Sequence, residues 1–111
     1  MPSLVDGIHV VNTETIPGFV IQDQLGVVSG STVRAKNVVR DISQMLKNIV
    51  GGELHQYTKL LIESRNEAFS RMLEDAKARG ANGVVNLRFA TSAVSPGAAE
   101  LFCYGTAVIV E

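Results

Sequence analysis

The chain has 111 residues, 46% hydrophobic and 5% aromatic, and ten basic against eleven acidic residues give a formal net charge of −1. That length sets one domain with a modest aliphatic core, and the scattered, balanced charges lack the basic footprint of a nucleic-acid binder. No run reaches the roughly 18 apolar residues of a membrane span, the Met1–Asp6 stretch reads as no signal peptide, and the single cysteine excludes an internal disulfide framework; the expectation is a soluble, cytoplasmic protein.

Residues 1–7 read as a loose lead-in, and Ile8–Val11 as a short strand ended by Thr13-Glu14-Thr15 and Pro17-Gly18. Residues 19–30 read as one long strand or two short ones, with a bulge at Gly26. Ser29-Gly30-Ser31-Thr32 invites comparison with phosphate-cradling loops, but the Gly-x-x-x-x-Gly-Lys-Ser/Thr spacing is missing. It is read as a strand end and loop before a helix.

That first helix spans Asn37 to Ile49, with Asn37 as its cap and Val38, Ile42, Met45 and Ile49 as its stripe. Gly51-Gly52 stops it. A long amphipathic helix then runs from Leu54 to Gly80. Tyr57, Leu61, Ser64, Ala68, Met72 and Ala76 recur at steps of three and four on one stripe. Its small residues, Ser64, Ala68 and Ala76, predict close packing on a sheet. Ile62, Phe69 and Leu73 form a second ridge, fit for a neighbouring helix. The charged remainder, including Glu67 and Arg71, reads as a solvated face. Lys77 and Arg79 suit the helix C-terminus, and Gly80 supplies a left-handed stop.

Beyond Asn82-Gly83 the period changes to two, with Val85, Leu87 and Phe89 alternating with Asn86, Arg88 and Ala90 over a strand at 84–94. A loop at Ser95–Ala99 leads to the last strand, Leu101–Val110. Gly105 in its interior weakens pairing unless another backbone or side chain approaches closely. The order β-β-α-α-β-β predicts an α+β fold, two layers with a mainly antiparallel sheet covered by the long helix. The aliphatic surplus and the long terminal strands, with their exposed edges, predict a homo-oligomer.

The segments Ala35–Ile42, Ile49–Gly52, Tyr57, Ser64–Ala68, Gly80–Phe89 and Tyr104–Val108, taken together, resemble the YbjQ-like family of small uncharacterised bacterial proteins labelled as heavy-metal-binding. The resemblance covers about residues 17–110. It implies an α/β two-layer subunit, related in shape to dodecin subunits, that assembles as a ring-like homopentamer. It brings no established reaction. Two positions depart from the family pattern. Glu53-Leu54-His55 follows Gly51-Gly52 where Arg-Ser is usual, and Asn82 replaces an acidic residue, which reads as a cap adjustment.

Candidate sites are sparse. Soft metals want several converging thiolates or imidazoles, and the chain offers only Cys103, His9 and His55, far apart in sequence. Cys103 reads as a small hydrophobe in a half-buried strand; one thiol per subunit becomes a ring of thiols if that strand lines an oligomer axis. His55 reads as a solvated residue. Asp23, Asp41, Glu53 and Glu100 are isolated acids, and no nucleophile–base arrangement follows from the spacing. Arg88, Tyr104 and Thr106 lie on the terminal hairpin, as strand-surface residues or facing a pocket. Arg40 and Arg65 sit beside apolar stripes on the two helices, where an arginine seeks a carboxylate or an anionic ligand. Tyr57 joins them as a ligand-binding candidate. The reading is a non-enzymatic homo-oligomer that binds a metal ion or small ligand at a subunit interface or axial channel. An enzyme with an interface-built active site and a purely structural ring are the rivals.

Overall fold

The structure is a computed structural model that describes residues 4–34, 53–95 and 98–111. Its elements are β1 (Leu4–Val5), β2 (Ile8–Val10), β3 (Ile21–Arg34), α1 (Glu53–Ala78), β4 (Gly83–Ser95) and β5 (Ala98–Val110). The helix expected at 37–49, the Gly51-Gly52 stop and residues 96–97 of the hairpin loop lie outside the described residues. One five-stranded sheet forms in the order β1-β2-β4-β5-β3. β2 runs parallel to β4, and every other pair is antiparallel. With α1 packed on one face, this is the expected α+β class.

The helix buries its stripe from Ser64 onward, whereas Leu61 of the stripe is 39% exposed and Ile62 of the second ridge 47% exposed. Ser64, Ala68, Met72 and Ala76 are buried, and Leu73 of the second ridge joins them. Because these residues are small, α1 settles close to β3. A Cβ at Gly30 would lie 2.3 Å from the Ala68 carbonyl oxygen and 2.3 Å from the Met72 nitrogen. Only glycine allows this approach. Ser29-Gly30-Ser31-Thr32 is therefore the interior of β3, not the strand end and loop that its composition suggests. Gly105 follows the same logic, since a Cβ there would meet Val84 Cγ1 at 2.7 Å. Gly80, at φ 79°, ends the helical segment in the left-handed conformation expected.

Two expectations are corrected by turn and bulge geometry. The lead-in is a hairpin: Asp6 (φ 50°) and Gly7 (φ 81°) form a two-residue turn that pairs Val5 with Ile8 and Leu4 with His9. Positive φ at both central residues marks the turn that matches strand twist, and Asp-Gly favours it. The 84–94 alternation is also broken. The register shifts between Val85 and Arg88, and Asn86 takes φ 56°. The Asn86 and Leu87 N–H groups both turn outward, donating to Thr13 O (3.0 Å) and Val11 O (3.1 Å). An extra residue switches the faces. Val85 thus joins one face of the sheet, while Leu87 packs with the core on the other. The bulge expected at Gly26 is present, at a register shift between Gln24 and Gly26.

Both faces of the sheet carry a core. Beneath α1 lie Ile8, Val10, Val28, Val84, Cys103 and Ala107 with Met72 and Leu73. On the opposite face Ile16 covers Val85, Val108 and Val110.

The helix also treats the outer edge of β3. The Ser29 N–H donates to Asp75 Oδ2 (3.3 Å), and Arg79 Nη1 donates to Leu25 O (3.0 Å). Arg71 Nη1 donates to Ser31 O. Each arginine also pairs four residues back, Arg71 with Glu67 (2.6 Å) and Arg79 with Asp75 (3.2 Å). The charged face read as merely solvated thus occupies backbone groups that an edge strand would otherwise offer to another chain. β4 differs: beyond Leu87, no backbone hydrogen bond to its outer edge is present among the described residues.

Candidate functional site

The edge of β4 that is bare among the described residues borders an open groove of about 1130 Å³ that runs between α1 and the loop after β2. Its walls come from elements far apart in sequence. The alternation of β4 after the bulge brings Phe89 and Thr91 to it, α1 contributes Arg65 and Phe69, and the Pro17-Gly18 turn delivers Phe19. Three of the four phenylalanines in the chain line this groove. Phe89 is 41% exposed, a large apolar surface left open beside a free strand edge. Phe19 rests against His9, with ring centroids 4.4 Å apart and planes tilted by 46°. Small-molecule sites measure about 300–1,000 Å³ and are mostly apolar with few polar groups. The groove has that character and slightly more room.

Its electrostatics are one-sided. Among the described lining residues Arg65 alone carries a full charge, and no acid faces it. Arg65 is exposed, and among the described residues it has neither an ion pair nor a hydrogen-bond partner.

The sequence candidates divide between the two sides of the sheet. Arg65 reaches the groove. Arg88, Tyr104 and Thr106 share the opposite face, where Arg88 and Tyr104 are register partners. Arg88 Nη1 donates to Asn12 O and Leu87 O, both at 2.9 Å, so it fastens the loop after β2 to the bulge. Tyr104 stacks on Phe102 with centroids 5.7 Å apart. Thr106 is half-buried opposite Val85 and Val27. Tyr57 lies on α1 with its side chain outside the described residues, and Arg40 lies outside them altogether.

Cys103 is fully buried, and its Sγ lies 3.7 Å from Met72 Sδ. Burial pushes its thiol from an ordinary 9.0 up to about 12. A metal-binding thiolate needs the reverse shift. Among the described residues no three His, Cys, Asp or Glu side chains converge on a common point. The described residues of the chain therefore do not fit a heavy-metal centre. No helix among them is long and apolar enough to cross a membrane.

The groove residues Phe19, Phe69 and Phe89 escaped sequence reasoning. Phe69 and Phe89 sit at core-like positions in their helical and strand periods, and Phe19 lies beside a turn. The available signal was the scarcity of aromatics in an aliphatic chain.

Comparison with known proteins agrees with this fold. A crystal structure of a protein of unknown function from Pediococcus pentosaceus superposes with a TM-score of 0.61 at 16% identity, covering 95% of this chain and 99% of that one. At that identity the likeness concerns the fold alone. A UPF0145 protein of Hahella chejuensis is 60% identical over 102 residues, 92% of this chain and 98% of the relative. A UPF0145 protein of the archaeon Pyrococcus furiosus is 51% identical over 111 residues, 100% of this chain and 97% of the relative. Relatives of this kind are thus not confined to bacteria, and the bacterial label expected from the resemblance is too narrow. The family model YbjQ_1, described as "Putative heavy-metal-binding", matches residues 8–111. The chain belongs to this YbjQ-like family.

Proposed function

We propose that the protein is a homo-oligomeric binding protein that holds a small, largely apolar molecule in the groove between α1, β4 and the loop after β2. The carrying observation is the cluster of Phe19, Phe69 and Phe89 around an open volume of about 1130 Å³ in a chain whose core is otherwise aliphatic. Assembly is supported by the contrast between the edges: helix side chains occupy β3, whereas β4 is bare beyond Leu87 among the described residues. Exposed Val27 and Ile62 add apolar surface that a second subunit can cover. The ring-like homopentamer implied by the family resemblance is the form proposed.

A metal ion is the second reading, and the family description favours it. Its donors would have to come from several subunits, because one subunit does not assemble them among the described residues. Purified protein, denatured and extracted, separates the two readings. Mass spectrometry of the extract should find an organic molecule that is depleted in a Phe89→Ser variant. Stoichiometric metal, with no organic ligand, favours the second reading instead.

A further inference from the structure

We infer that the groove selects an anion: a small amphiphile with one oxyanion head, held by Arg65, and an apolar body lying on Phe69 and Phe89. This rests on the groove being the binding site. A guanidinium bordering an apolar groove presents a planar fork of donors that suits a carboxylate or another oxyanion. Arg65 has none among the described residues, although the same helix pairs Arg71 with Glu67 and Arg79 with Asp75. The helix thus satisfies two arginines on its β3 side and leaves the one on its groove side without a partner among the described residues.

The groove does not balance that charge. No Asp or Glu is among its described lining residues, and the remaining polar groups there, such as Asn66, Thr91 and His9, carry no negative charge. A cationic ligand would meet Arg65 unfavourably and find no acid. A neutral apolar ligand would leave the guanidinium unmatched beside a hydrophobic body. An anionic head with an apolar tail fits both parts of the surface. The planar fork of arginine suits carboxylate, sulfonate and phosphate oxygens alike, so the class is set by charge and shape.

Two fluorescent probes of nearly equal aromatic skeleton test this: 1-anilinonaphthalene-8-sulfonate, which is anionic, and N-phenyl-1-naphthylamine, which is neutral. Wild-type protein should bind the sulfonate saturably and more tightly than the neutral probe. Arg65→Gln should weaken the sulfonate about ten- to a hundredfold, the range of a lost charge-assisted hydrogen bond, and leave the neutral probe unchanged. Arg65→Lys should recover part of the loss. Phe89→Ser should weaken both probes, with circular dichroism confirming that each variant is folded. Equal sulfonate binding by wild type and Arg65→Gln, with both probes still sensitive to Phe89→Ser, would overturn the anion inference and leave the groove standing. Probes that bind wild type and Phe89→Ser alike, or bind neither, would overturn the groove and the inference with it.

Discussion

Asn82 closes both backbone groups of Val110. Its carboxamide oxygen accepts the Val110 N–H at 2.7 Å, and its amide nitrogen donates to the Val110 carbonyl at 2.9 Å. A side chain here does the work of a paired strand. It ties the turn after α1 to the end of β5, where the Asn82 backbone N–H also donates to Val108 O (3.2 Å). The departure from the family's acidic residue is therefore a two-bond clamp, more than a cap adjustment.

Replacing Asn82 with Ala leaves the Val110 N–H and C=O half-buried without partners. Unmade hydrogen bonds of this kind cost about 1–3 kcal/mol. Asn82→Ala should lower the urea midpoint accordingly with an unchanged slope. Asn82→Asp keeps the acceptor for the Val110 N–H but loses the donor, and should fall between the two.

Gly30 makes a sharper prediction. The atoms its Cβ would meet belong to the backbone of α1 and cannot rotate away. Gly30→Ala must push the helix off β3, at a cost of about 3 kcal/mol. Equilibrium unfolding measures this, and a variant as stable as the parent would show that α1 does not lie so close.

For Cys103 the sign of the pH effect follows from its raised pKa. Below pH 9 the thiol is neutral in both folded and unfolded chains and contributes no pH dependence. As pH rises from about 9 to about 12 the unfolded chain loses its proton before the native one does. Native protein then binds more protons than unfolded, so stability falls across that window. Ellman's reagent at pH 8 should label the thiol only after denaturation. Cys103→Ser should leave assembly intact. If soft-metal stoichiometry is also unchanged in that variant, a ring of thiols plays no part in binding.

The long-period features were legible in sequence, and the local exceptions were not. The stripe Ser64-Ala68-Met72-Ala76 identified α1 and its partner sheet because small residues at helical spacing have few other uses. Gly80 and the period change after Gly83 fixed the passage into β4. Asn86 was opaque, because the Val85-Leu87-Phe89 alternation reads unbroken on paper while one extra residue at the bulge exchanges the faces. The short strand read at Ile8–Val11 is β2, but its partner β1 was missed for its size: a two-residue strand carries no period, and only Asp6-Gly7 announced the turn. In the groove, Arg65 was visible as an arginine beside an apolar stripe. Its companions were not, since Phe19, Phe69 and Phe89 meet only through sheet order and a loop crossing, which no spacing encodes.

Native mass spectrometry of tag-free protein, as purified, reads assembly and ligand together. One homo-oligomeric species is expected, carrying extra mass of small-molecule size, with that mass lost and the oligomer retained in Phe89→Ser. A bare monomer would contradict it, as would a bound mass that survives the Phe89 substitution.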